Sequence, residues 1–287
     1  MIKVALSVAN PVTIVFDRLW LGAAVVAACV LIAKIPVGLN FSVAARAGGL
    51  GLLGNVAPFL LVAWAEIHVT SVAAVVLQAT IPLFTYGFAV KLAGERFSTL
   101  EASALLVGLG GVVILNNPHS FEQLFSRTWA GLAGELALLG ASACFGLAVV
   151  LNSRLLKGTN AISVAGMQLG LSAVVLGGWK ATIGGGIGFT SGWQPLGALL
   201  ILGLLGTGIA YMLYFWLIQR VGSTLSSLVT YLVPVVGIPL GSLTLGEPVG
   251  LGVGFGVATI LAGALGVGLL RSTRGVAVPE PGGGVVG

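Results

Sequence analysis

Charge is what this chain has least of. Lys, Arg, Asp and Glu make up 7% of its 287 residues, where a soluble domain carries about 25%. So few charges cannot cover a water-exposed surface, which excludes a soluble globular protein whatever the length would allow. Histidine and cysteine are scarce as well, with two of each. Cys29 and Cys144 both fall inside predicted helices, where a free thiol behaves as a small apolar group. No zinc-type Cys/His spacing occurs, and no Gly-x-x-x-x-Gly-Lys-Ser/Thr phosphate loop. Neither a cofactor, nor a bound metal, nor ATP hydrolysis is therefore expected. The formal net charge of +5 does not point to nucleic acid, because the basic residues sit in short connections between apolar runs.

What the chain has instead is hydrophobicity: 57% of its residues, with a mean hydropathy of +1.10. In lipid every backbone N–H and C=O must be paired internally, which leaves helices or closed barrels. Barrel strands alternate apolar and polar residues over about ten positions. Here the runs are continuous and about 20 residues long, the length of a membrane-crossing helix. Nine spans are expected, over 12–33, 47–65, 70–92, 98–116, 129–152, 160–180, 195–218, 223–243 and 249–270. The first lacks a small-residue cleavage site, and eight further spans follow it, so it reads as a span and not as a signal peptide. Lys34, Arg46, Lys91, Arg96, Arg154, Lys157, Arg220, Arg271 and Arg274 fall on one side, Lys3, Arg127 and Lys180 on the other. The richer side is expected to be cytoplasmic, and with it the C-terminus. Trp20, Trp129 and Trp193 are natural interface anchors. The segment 271–287 offers no packable face and is expected to be disordered.

The chain also repeats itself. "GLLGNVAPFLLVAWAEIHV" begins at Gly51, and "GLLGTGIAYMLYFWLIQRV" begins at Gly203. At the same offset Trp64 meets Trp216, Pro82 meets Pro234, and Gly94-Glu95 meets Gly246-Glu247. The period is too long for a solenoid, so two related halves are expected, 1–117 and 118–270. An odd number of spans per half inverts one relative to the other, as in many secondary transporters that hold their solute at the midplane between repeats. Farther back, "NPVTIVFDRLWLGA" from Asn10 aligns with "NAISVAGMQLGLSA" from Asn160. A whole span precedes the second of these and only nine residues the first. Complete halves would have five helices, and most of the first one is expected to be missing here.

The doubled Pro…Gly-Glu signature, Gly-Leu-Leu-Gly…Trp in each half and "GLGGVVIL" after the first signature resemble the drug/metabolite transporter superfamily, in its EamA branch of ten-helix exporters. The resemblance covers about residues 10–270. It implies an all-α polytopic membrane protein, a helix bundle of two inverted repeats, that exports small metabolites from the inner membrane. Arg18 matches a basic position that the resemblance places in the family's second helix, "DRL" standing here for "ALR".

Candidate site residues follow from polarity within the spans. Pro82 and Pro234 lack an N–H, which frees the carbonyls of Gln78 and Thr230 four residues earlier. These residues mark either a wetted cavity or kinks satisfied by neighbouring helices. Asn55, Gln78 and Gln168 lie at similar depth and would offer amides to a neutral or zwitterionic solute, for which the resemblance suggests an amino acid, with Tyr211, Thr230 and Tyr231 completing the lining. Asp17, Arg18 and Glu135 are charges inside spans, which cost about 2.5–3.5 kcal/mol each on insertion scales. They either serve coupling and gating or reach toward the membrane surface. Glu66 and His68 read as solvated turn residues. Glu95 and Glu247 read as carboxylates at helix starts, where the dipole favours them. The glycines "GLGG" at 108–111 and "GVGFG" at 252–256 suit close helix packing. The expected partners are a small-molecule solute and the lipid bilayer, with a homodimer left open. The competing readings are a non-transporting remnant lacking its first helix, and a membrane enzyme acting on lipid-linked substrates. The latter would need clustered acids, histidines or a metal site that the sequence lacks.

Overall fold

The structure, a computed structural model, describes residues 10–35, 40–115, 128–182, 197, 199–236 and 251–273. Within them the chain is helical and contains no strand. In chain order the helices are α1 (Pro11–Ile32), α2 (Phe41–His68), α3 (Ser71–Gln78), α4 (Ile81–Ala93), α5 (Thr99–Leu115), α6 (Trp129–Leu155), α7 (Ala161–Thr182), α8 (Ile201–Ser227), α9 (229–236) and α10 (Leu251–Thr273). Seven described segments are long and apolar enough to cross a membrane, and α5 is a shorter apolar helix. The all-α polytopic membrane fold is as expected. Glu247, Lys3, Arg127, Trp193 and the end of the expected span 223–243 lie outside the described residues.

Several boundaries differ from expectation, for local reasons. The second span begins at Phe41, because the Asn40 side chain caps it by accepting from the Ser42 N–H. The span expected at 70–92 is two helices. α3 stops at Gln78, and Pro82 falls in the first turn of α4, where its missing N–H has no helical partner to lose. The break leaves the Leu77 carbonyl accepting from two hydroxyls, Thr80 Oγ1 and, at 3.1 Å, Ser142 Oγ. α8 carries its own break at Gly222, with φ 81° and ψ 177°. That backbone is open to glycine and strained for other residues. At the offset of the repeat Gly222 corresponds to Thr70, which caps α3.

The chain forms two compact units, and neither is a sequence half. The first takes Met1–His68 and Leu151–Gln219; the second takes Val69–Val150 and Arg220–Gly287. Each unit therefore pairs a stretch of the first repeat with its counterpart from the second.

In the first unit α1 packs along α7 and along the N-terminal part of α8, and the start of α2 packs on α7. Lipid tails are as apolar as the helices, so close backbone approach replaces the hydrophobic effect as the adhesive. A methyl group on Gly51 would lie 2.8 Å from the Gln168 carbonyl oxygen, and one on Gly22 would lie 2.8 Å from Thr207 Cγ2.

In the second unit α5 and α10 form the most extensive helix pair among the described residues. A methyl group on Gly256 would stand 2.6 Å from Leu115 Cα, and one on Gly263 would stand 2.7 Å from the Ala104 carbonyl oxygen. Backbone cannot yield as a side-chain tip does. Gly256→Val is therefore expected to destabilise by about 1–3 kcal/mol, as overpacking does. The control is Gly254→Val, since a methyl there meets nothing within 4 Å. Thermal unfolding in detergent compares the two.

The same unit explains Glu95. Gly94 ends α4 in the left-handed conformation, φ 72°, the usual use of glycine past a helix C-terminus. The Glu95 carboxylate is not spent on a helix start. It accepts from Arg271 Nη2 at 2.6 Å and from Thr224 Oγ1 at 3.1 Å. Arg271 also donates to Glu101 from Nη2 at 3.0 Å and from Nε at 3.2 Å. α10 thus continues in ordered helix through Thr273, and its last turn is tied to the start of α5.

Candidate functional site

The duplicated Gly-Leu-Leu-Gly stretches are where the helices widen. Residues Leu52–Val56 of α2 and Ile201–Ile209 of α8 are π-helical, a form that concentrates at functional sites because it displaces backbone hydrogen bonds. Directly after each Gly-Leu-Leu-Gly comes a polar residue, Asn55 in one copy and Thr207 in the other. Both are almost completely buried. Asn55 Nδ2 donates to Ser172 Oγ at 3.4 Å. Thr207 Oγ1 donates to the Leu202 carbonyl at 2.9 Å and accepts from Arg18 Nε at 2.7 Å.

The helices that receive them are repeated too. Asn10 and Asn160 cap α1 and α7 in the same way, accepting from the N–H of Thr13 and of Ser163. From that alignment Arg18 corresponds to Gln168, and Gly22 to Ser172. The first unit therefore builds one polar contact twice, crosswise. α2 meets α7 through Asn55 and Ser172, and α8 meets α1 through Thr207 and Arg18.

The two copies differ in charge. In the α2–α7 copy the polarity is internally satisfied: Gln168, one turn from Ser172, donates through Nε2 to Asn152 Oδ1. In the α1–α8 copy the guanidinium contacts found among the described residues are with neutral groups. Besides Thr207 it reaches the Gly206 carbonyl at 3.4 Å, and it lies 4.0 Å from the Phe59 ring centroid, within cation–π range. Tyr211 meets Phe59 edge-on with centroids 6.3 Å apart, and Phe215 meets Tyr211 at 5.7 Å. Among the described residues no carboxylate lies within ion-pair distance of Arg18. An intramembrane cation with aromatic flanks and neutral ligands is suited to receive an anionic group.

Of the sequence-derived candidates, Asp17, Arg18, Asn55, Gln168 and Tyr211 belong to the first unit, and Gln78, Thr230, Tyr231, Pro82, Pro234 and Glu135 to the second. The first unit brings Arg18 and Tyr211 together around Phe59, and Asn55 beside the Gln168 turn of α7. In the second unit Tyr231 is fully buried, its hydroxyl donating to the Leu105 carbonyl at 2.8 Å and its ring lying against Gly108. Thr230 Oγ1 donates to the Ser227 carbonyl at 2.8 Å. Gln78 is half-buried at the end of α3, Pro234 is buried in α9, and Glu135 is buried on α6. Sequence reasoning passed over Phe59, Asn152, Ser172, Lys180 and Thr207. Only Thr207 carried a usable signal, its register opposite Asn55 in the repeat. An apolar groove of about 450 Å³ also runs between α1 and α7, lined by Trp20, Ala23, Ala27, Met167 and Ser163.

Comparison with known proteins agrees with this architecture. The chain is 24% identical to a transporter of Bacillus subtilis, YoaV, described as uncharacterized, over 66% of this chain and 63% of that protein. It is 30% identical to YedA of Escherichia coli, described as an uncharacterized inner membrane transporter, over 63% of this chain and 56% of that protein. These alignments span less than two thirds of either relative. A solved crystal structure shares the fold, with a TM-score of 0.75 and 21% identity over 91% of this chain and 90% of the other. The sequence profile of one family, the EamA-like transporters, matches residues 1–117 and 132–269. With nearly the whole chain covered and the helices in place, the protein belongs to the EamA-like transporter family.

Proposed function

We propose that the protein is a secondary transporter, an exporter of small zwitterionic or neutral solutes such as amino acids, working by alternating access. The observation that carries this reading is Arg18: a guanidinium inside a membrane span, with no carboxylate bound to it among the described residues, presented beside Phe59 and Tyr211. Leaving such a cation uncompensated in lipid is costly, and a solute carboxylate would compensate it with charge-assisted hydrogen bonds. The solute's ammonium would find aromatic surface in the same place. Duplicated π-helical segments supply backbone that can rearrange as the pathway changes its exposure. Family membership and the apolar spans support transport over catalysis.

The test is efflux from cells preloaded with radiolabelled neutral amino acids. Cells expressing the chain are expected to lose label several-fold faster than cells with an empty vector. Each amino acid offered outside as an unlabelled competitor should accelerate exchange only if its carboxylate is free. Equal acceleration by methyl esters would reject the carboxylate-binding reading.

A further inference from the structure

One pair of charges in the first unit plays no part in the Arg18 centre. Asp17 is 1% and Lys180 is 3% exposed. Asp17 is the seventh residue of α1, and Lys180 is the third from the end of α7. Since α1 and α7 pack together with Phe16 against Gly177, both charges lie at the same end of the pair. Asp17 is about 9 Å of helix rise from the start of α1. The two do not bond: Asp17 Oδ2 and Lys180 Nζ are both buried without a hydrogen-bond partner. The ammonium rests 4.8 Å from the Phe16 ring centroid.

The repeat shows that packing does not require these charges. In the alignment of Asn10 with Asn160, Asp17 corresponds to Met167 and Lys180 to Val30. The same helix pairing therefore accepts apolar residues at both registers. Two buried, unbonded charges are unfavourable for stability, and where the frame does not ask for them they point to a function.

Building on the transporter reading, we propose that Asp17 and Lys180 form a proton-binding site, which couples transport to the proton gradient. The Asp17 carboxylate takes a proton from hydronium, giving a carboxylic acid and water. The step adds one positive charge to the pair, and release on the other side of the membrane reverses it. Lys180 is a positioning residue, the counter-charge that lets a carboxylate ionise inside the helix pair. The elements packed against α1 also bring Glu66 and His68 from α2 and Tyr211 from α8, and Arg18 is the neighbour on α1 itself. Arg18 is turned to Thr207 and Phe59.

Two measurements test this. The first needs no solute. Infrared difference spectra of the protein in phosphatidylethanolamine–phosphatidylglycerol vesicles, taken between about pH 5 and about pH 8, are expected to show a protonated-carboxyl signal that D17N removes and E66Q keeps. Absence of that signal in the wild type, or its persistence in D17N, overturns the proposal. The second uses vesicles with a mixture of radiolabelled neutral amino acids. D17N and K180M are expected to lose at least about tenfold of the gradient-driven flux while exchange without a gradient stays within about twofold of wild type; a tenfold loss corresponds to 1.4 kcal/mol. Exchange that falls together with driven flux would make the pair a structural clasp and also overturn it. If the wild type moves none of these solutes, the proposed solute class fails, and the infrared measurement still decides the proton site.

Discussion

Arg271→Met is expected to lower unfolding stability by about 3–5 kcal/mol, the usual consequence of removing one partner from a buried ion pair. The size follows from what the change leaves behind. Arg271 sits between two carboxylates, 2.6 Å from Glu95 and 3.0 Å from Glu101. Its side chain is 9% exposed and that of Glu101 is 4% exposed. Methionine would fill much of the volume but would leave two like charges converging near the end of α10. Arg271→Lys should recover only part of the loss. An ammonium can reach one carboxylate as a point charge but cannot reproduce the Nε and Nη2 contacts together. The double variant R271M/E101Q should recover part as well, because the more buried of the two like charges is then gone. Chemical unfolding in detergent measures all three, and a loss below about 1 kcal/mol for R271M would make the network no stronger than a surface pair.

The membrane class and the all-helical fold were legible in the sequence because each rests on a one-dimensional signal: apolar run length and missing charge. Helix ends set by a single side chain were half legible. Asn40 could have been recognised as a cap, and it moves the start of α2 six residues ahead of the expected span. The break at Ala79–Thr80 was hidden for a different reason. Proline announces a disturbance but does not say whether the helix bends through it or stops and restarts, and here Ser142, 65 residues away in sequence, supplies the hydroxyl that helps it stop.

The Arg18 centre shows the same limit. Arg18 and Tyr211 each stood out as polar groups inside apolar runs. Phe59 did not, because an aromatic in a membrane helix looks the same whether it faces lipid, a neighbour or a guanidinium. The purpose of Gly-Leu-Leu-Gly was likewise out of reach. The motif recurs because a π-helical turn recurs, and a π-turn has no signature in apolar periodicity. Lys180 entered the sequence analysis only as a charge that sets orientation, and the burial of its Nζ at the α1–α7 pairing is visible only in the structure.

Arg18→Gln is expected to abolish most carboxylate-dependent transport while leaving the fold intact. Glutamine is the informative replacement because the repeat already places Gln168 at the corresponding register of α7. The frame therefore accommodates its size, and its amide can still reach toward Thr207. What disappears is the charge. Truncating one partner of a desolvated charge pair costs about 2–5 kcal/mol, which is roughly a 30-fold loss of solute affinity at the low end. Flux at sub-saturating solute should fall by that factor, and unfolding stability should change by less than about 1 kcal/mol, since the Arg18 contacts are to neutral groups and a ring. Arg18→Lys should fall between, keeping a cation while losing the planar fork and the stacking on Phe59. A solute lacking its carboxylate, such as the methyl ester, should be handled equally by wild type and R18Q, because neither then has an anion to hold. If R18Q instead transports the free acid as well as wild type does while losing stability, the guanidinium serves only to fasten α1 to the π-turn of α8, and the solute carboxylate is bound elsewhere.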